Sequence, residues 1–114
     1  SDPNEEVRQH CGEVLASLVT AQNRELSREN FDSFVEAEVY AQLKKLIDDP
    51  NTENVLGGLT AIDSLVNVDY HESGGRKFTK LARFVTTCIG NSHTDVATMR
   101  KAANTLGRLV KMQE

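Results

Sequence analysis

One helical phrase recurs three times along this chain of 114 residues, and it limits the possible folds more than any other feature. Its apolar tail reads Leu15-Ala16-Ser17-Leu18-Val19, then Ile62-Asp63-Ser64-Leu65-Val66, then Leu106-Gly107-Arg108-Leu109-Val110. Val19, Val66 and Val110 stand 47 and 44 residues apart. A small pair precedes each tail: Cys11-Gly12, Gly57-Gly58 and Ala102-Ala103. Further upstream lie turn-and-cap segments: Asp2-Pro3-Asn4, Asp49-Pro50-Asn51, and Asn91-Ser92 followed by Asp95. A period in the forties is the mark of a stacked helical solenoid, in which each unit buries its apolar face on its neighbours. Such arrays hold partners on extended surfaces and rarely perform chemistry themselves.

Apolar periodicity predicts five helices and no sheet. The first spans about 3–24, with Asp2 as cap, Pro3 at the first helical position and Glu5 able to close a capping box. Its predicted core stripe is Val7, Cys11, Val14, Leu15, Leu18 and Gln22. The second spans about 28–48 behind Ser27, with Phe31, Phe34, Val35, Val39, Leu43, Leu46 and Ile47 inward. Asp49-Pro50-Asn51 breaks it. The third, about 52–68, shows Val55, Leu59, Ile62 and Val66, widened by Gly58, Ala61 and Leu65. A helix apolar over that much of its circumference belongs between neighbours. Residues 69–75 read as a polar, flexible loop. The fourth helix, about 76–90, carries Phe78, Leu81, Ala82, Val85, Cys88 and Ile89, and Gly90-Asn91 stop it. The fifth, about 94–112, carries Val96, Met99, Ala103, Leu106 and Val110.

The first, third and fifth helices carry the repeated phrase, whereas the second and fourth are ordinary amphipathic helices. This is the alternation of B and A helices in a HEAT-type repeat. The reading is therefore an all-α solenoid: a lone B helix at about 3–24, an A–B hairpin at about 27–68 and another at about 76–112. It is one domain at most, or a piece of a longer array. Glycines inside a helix cost about 1 kcal/mol each against alanine, so Gly57-Gly58 is expected to be offset by close helix packing. An array cut at its ends leaves apolar surface there. Leu15, Leu18, Val19, Leu106 and Val110 are expected to be partly uncovered, and the isolated chain to self-associate.

The search for chemistry returns no catalytic, cofactor-binding or metal-ligating residue. Gly57-Gly58 and Gly74-Gly75 are isolated pairs, not a phosphate-cradling loop. No kinase catalytic-loop or metal-binding signature is present. His10, His71 and His93 lack ligand spacing, and Cys88 with His93 has no second pair to complete a zinc site. Glu36 and Glu38 are two apart on a helix and do not face each other. Cys11 and Cys88 both sit in helical patterns and read as buried reduced thiols of an intracellular protein. No apolar run approaches the roughly 18 residues of a membrane span, and the first residues show no basic-then-apolar signal pattern.

Charge is strongly polarised. Residues 1–75 carry 5 basic and 15 acidic side chains, and residues 76–114 carry 8 basic and 2 acidic. Arg76, Lys80 and Arg83 fall on one face of the fourth helix, and Arg100, Arg108 and Lys111 add charge to the fifth. A contact to an acidic protein surface would use Arg76, Lys80, Arg83, Arg100 and Arg108; the plain alternative is a solvated face. Phosphate binding is disfavoured, because no aromatic residues interleave with the cations and the pI is about 5.4. Nucleic acid is therefore not an expected partner.

Gly57-Gly58-Leu59-Thr60-Ala61-Ile62-Asp63-Ser64-Leu65, then a glycine-containing loop, then Leu81-Ala82-Arg83-Phe84, resembles the N-terminal HEAT region of the target-of-rapamycin (TOR) kinase family. The closing stretch from Asp95 through Met99, Ala102 and Leu106 to Leu109 is similar to the helix that follows there. Asn4 to Arg8 and Glu25-Leu26-Ser27 match more weakly, and Ile89-Gly90-Asn91 departs from the family pattern. The resemblance implies a segment of a large Ser/Thr kinase of the phosphatidylinositol-3-kinase-related class. That protein would govern growth in response to nutrients, in complexes with accessory subunits such as Raptor. Its ATP site and rapamycin-binding region would lie outside this chain, which would be a non-catalytic scaffold in the cytoplasm or at endomembranes, not inserted in the membrane. The alternative is a HEAT or armadillo adaptor unrelated to a kinase, such as a transport receptor or phosphatase scaffold.

Overall fold

The computed structural model describes residues 3–70, 72, 75–91 and 95–112. Every regular element among these residues is a helix, with no strand among them. Helix α1 is Pro3–Glu25. Helix α2 occupies 28–48 as one rod in three parts: α-helical Arg28–Phe34, a π-helical stretch Val35–Tyr40, and α-helical Ala41–Asp48. Helices α3, α4 and α5 are Thr52–Val66, Lys77–Gly90 and Val96–Met112.

Local chemistry sets the boundaries. The Ser27 hydroxyl accepts from the Asn30 N–H at 3.2 Å and opens α2. Asp49, held extended ahead of Pro50, closes it. Its carboxylate accepts from the Asn51 N–H at 2.7 Å, and Asn51 Oδ1 in turn accepts from the Glu53 N–H at 2.8 Å to start α3. Asp95 opens α5 by accepting from the Thr98 N–H at 2.8 Å, and that bond holds its carboxyl below the usual range. Asp2, His71, Ser73, Gly74, Ser92 and His93 lie outside the described residues.

Helix α3 is the centre of the molecule. It packs against α1, α2, α4 and α5, while α2 also meets α4 and α4 meets α5. Val55, Gly58, Leu59, Thr60, Ala61, Ile62, Leu65 and Val66 are all buried, as its apolar circumference requires. Around it close Phe31, Val35, Leu43 and Ile47 of α2, Leu81, Val85 and Cys88 of α4, Val19 of α1 and Leu109 of α5. Two glycines mark the tight approaches. A Cβ on Gly12 would stand 2.4 Å from Ser64 Oγ, and one on Gly58 would stand 3.1 Å from both Ile47 Cδ1 and Leu46 Cβ. Gly57 faces open space, so one member of the central pair carries the packing.

The outer helices correct the sequence reading. In α1 the buried residues are Gly12 and Val19, with Leu15, Ala16 and Gln22 half-buried; Val7, Cys11, Val14 and Leu18 face out. In α5 the buried residues are Thr98, Ala102, Thr105 and Leu109, whereas Val96, Ala103 and Val110 are exposed and Met99 and Leu106 half-buried. Each of these helices carries apolar residues on two faces, and α3 covers only one. Val19, expected at an open end, is therefore in the core, and Cys11, expected buried, is exposed. Cys88 is buried, which raises its thiol. The segment after α3 is also corrected: Tyr70 and Glu72 are buried rather than solvated.

Candidate partner-binding surfaces

The buried connection between α3 and α4 is a polar knot. Lys77 enters from the first turn of α4 and donates to the carbonyl of Val68 and, at 3.5 Å, to that of Val66. Val66 ends α3, where the last carbonyls lack an intrahelical N–H, and Val68 lies just past it, its carbonyl also accepting from the Tyr70 N–H at 3.0 Å. The Lys77 ammonium also lies 4.4 Å from the Tyr70 ring centroid and 5.1 Å from that of Phe78. Burial lowers the Lys77 ammonium, and the charges of Asp69 and Glu72 pull it the other way. The Tyr40 hydroxyl donates to Glu72 Oε1 and lies 3.0 Å from the Tyr70 hydroxyl. Burial is the main force raising both phenols. Tyr70 also sets its ring against Phe31, with centroids 5.8 Å apart. One loop aromatic thus touches both ends of the first half of α2. Through Lys77 the group positions the backbone that ends α3.

The candidate cations fall into two surroundings. Lys80 pairs with Glu36 at 3.2 Å and, with exposed Arg83, borders a groove between α2 and α4. The groove measures about 410 Å³. Tyr40, Ala41, Ile47 and Phe84 supply its apolar walls, and Lys44 and Asp48, themselves paired at 2.7 Å, its far rim. Arg76 sits just ahead of α4 as its exposed N-terminal flank.

Arg100 and Arg108 lie on α5 instead, sharing a depression with Asp63 and Lys101. Asp63 is its hub: it accepts from Lys101 at 3.1 Å, from Arg108 at 2.9 Å and from the Thr105 hydroxyl at 2.9 Å. Beside it runs a groove of about 430 Å³ over α3, walled by Gln9 and Glu13 of α1 on one side and by Lys101 and Arg108 on the other. Sequence spacing located the cations but not Glu36 and Asp63, which approach from other helices. Nor did it find the Tyr40–Tyr70–Glu72–Lys77 knot; an aromatic residue inside an otherwise polar loop was its only trace.

Among the described residues no three histidine, cysteine or acidic side chains gather as a metal site, and no helix is long and apolar enough to cross a membrane. The surfaces are shallow, mixed in charge, and walled by the sides of helices. The chain is similar to a segment of the serine/threonine-protein kinase TOR2 of Saccharomyces cerevisiae, with 32% identity over 96 residues. The match takes in 83% of this chain, which spans about 4% of the length of that kinase. No family model and no solved structure matches the chain.

Proposed function

We propose that this chain is a non-catalytic scaffold segment of a TOR-type Ser/Thr protein kinase, built as HEAT-type repeats and serving to bind accessory proteins. The observation that carries this reading is the 32% identity to TOR2 over 96 residues. The architecture supports it: α1, α3 and α5, which carry the repeated phrase, pack side by side through α3, and α2 and α4 lie against each other beside them. That is how B and A helices alternate in a solenoid. On this reading α1 is a lone B helix and α2–α3 and α4–α5 are A–B hairpins. The kinase chemistry lies outside these residues. Partners of the class of Raptor would engage Arg76, Lys80 and Arg83 near the α2–α4 groove, or Arg100 and Arg108 beside Asp63. The setting is cytoplasmic or endomembrane-associated.

A chimera tests it: the matched segment of yeast TOR2 is replaced by this chain. The expected result is a kinase that sustains growth and co-purifies with the same subunits as the parent. A chimera that is produced at parental level but sheds those subunits, or fails to support growth, overturns the assignment and favours an adaptor unrelated to the kinase.

A further inference from the structure

Helix α4 turns Lys80, Arg83, Phe84 and Thr87 to the groove it shares with α2, a spacing of three and four that keeps them on one face. Tyr40, Ala41 and Ile47 of α2 stand opposite. Tyr40 and Phe84 set their rings against each other across it, with centroids 5.9 Å apart. Tyr40 belongs to the π-helical turn Val35–Tyr40. Wide turns of this kind are rare and recur at functional sites. At about 410 Å³ the groove falls in the size range of ligand pockets, which combine apolar walls with a few placed polar groups.

The charges on its rim are not equivalent. Lys80 is held by Glu36 at 3.2 Å, with its ammonium 5.9 Å from the Tyr40 ring centroid. Lys44 is held by Asp48 at 2.7 Å. Both pairs are neutral within the molecule. Arg83 is exposed, and it is the one charge lining the groove that no acid meets among the described residues. The complement of an apolar slot with one unmatched guanidinium at its edge is an apolar side chain with a carboxylate beside it. A run of phosphates fits poorly, because Glu36 and Asp48 stand on the same rim and repel it.

We propose that the α2–α4 groove takes an acidic peptide segment of a partner protein, with one large apolar side chain seated between Ala41 and Phe84 over Tyr40 and Ile47, and a neighbouring carboxylate on Arg83. The apolar contact supplies the affinity. Arg83 selects the sign of the neighbour, since an exposed ion pair adds little energy by itself. On the scaffold reading above, on which this rests, the peptide is what an accessory protein brings to the Arg76–Lys80–Arg83 cluster.

The probe is a random dodecapeptide library displayed on phage and selected on the whole chain. Enriched peptides should share one large apolar residue next to aspartate or glutamate. A synthetic copy free of tyrosine and tryptophan should bind saturably and change the emission of the two tyrosines, in a chain that has no tryptophan. Arg83→Glu should weaken it by about fivefold, and a copy with lysines in place of its acids should bind Arg83→Glu better than the parent chain. Ala41→Phe, which fills the groove from an exposed position, should abolish binding. If circular dichroism shows that Ala41→Phe has lost helicity, Thr87→Leu on the facing wall, also exposed, replaces it with the same outcome expected. Failure to enrich any peptide overturns the proposal. So does binding that the groove-filling variant leaves untouched, or a peptide whose acids can be exchanged for lysines with no loss on the parent chain. The TOR2 chimera answers a separate question. A working chimera without peptide binding removes the groove and leaves the scaffold; a failed chimera with peptide binding does the reverse.

Discussion

Gly12 of α1 lies against Ser64 of α3 with no room for a side chain between them: a Cβ there would stand 2.4 Å from the Ser64 hydroxyl oxygen and 3.3 Å from its Cβ. Glycine at this point is what lets α1 reach the central helix. Gly58 does the same for α2, with Ile47 and Leu46 in the way of any substituent.

The neighbouring glycines separate packing from backbone effects. Gly58→Leu should cost about 1–3 kcal/mol through overpacking. Gly57→Ala should stabilise by about 0.5–1 kcal/mol, because its surroundings are open and alanine is the better helix former. Gly75 has open space too, but its φ of +62° makes Gly75→Ala costly by roughly 1–2 kcal/mol. Urea midpoints of the three variants give the order; a stabilised Gly58→Leu would remove the case for close approach of α2 and α3.

Tyr40 and Tyr70 are the two tyrosines of the chain and there is no tryptophan, so their ionisation can be read without interference. Both phenols are raised by burial above their ordinary value of 10.0. A group raised in the fold contributes stability that is whole below its unfolded value and lost as pH climbs past it. The protein should hold steady up to about pH 10 and then lose stability with the uptake of tyrosinate charge in the unfolded chain. The burial-lowered Lys77 ammonium acts in the opposite sense as pH approaches its unfolded value of 10.5, which softens the loss. Phenolate absorbance should therefore rise together with the loss of helical circular dichroism. Tyr40→Phe should cost about 1–3 kcal/mol at neutral pH by leaving Glu72 short of a donor, and should make the alkaline slope shallower.

Asp63 ties α5 to α3 through Lys101, Thr105 and Arg108. Asp63→Ala should lower stability by about 1–3 kcal/mol, since three donors lose a shared acceptor. Amide exchange should quicken most along α5. Uniform acceleration across all helices would instead mean that the Asp63 cluster does not hold α5 individually.

Titration of the chain with Mg-ATP should give no saturable heat in the micromolar range, since neither groove presents a run of backbone N–H groups to a phosphate. A saturable isotherm would contradict the scaffold assignment.

The middle of the molecule could be read from the sequence because there one pattern has one meaning. Val55, Leu59, Ile62 and Val66 are apolar together with Ala61 and Leu65, so α3 has nowhere to go but inside. Ser27 and Asn51 announce their helices through their own side chains. The outer helices were harder for a physical reason. Periodicity says that α1 has an apolar face through Val7 and Val14 and another through Gly12 and Val19, but not which one a neighbour will cover. The smallest residue won, because helix approach is limited by bulk. The charged sites were half legible: helical spacing groups Lys80 with Arg83, but their surroundings depend on Glu36, 44 residues away from Lys80. Asp63 and Glu72 act through contacts that only the folded chain makes.

The π-helical turn at Val35–Tyr40 gives α2 a property no uniform helix has. Phe31 and Tyr40 both reach Tyr70, yet they are nine residues apart, which on an uninterrupted α-helix is about two and a half turns and puts them on opposite sides. The widened turn absorbs one residue and restores the phase. Closing the wide turn into a regular α-helix with every residue kept would swing everything after it by about 100°, carrying Tyr40 away from Glu72, whereas deleting one residue between Val35 and Tyr40 would give a regular rod that keeps Phe31 and Tyr40 in phase. The extra residue of this stretch is therefore tolerable only as long as the turn stays wide.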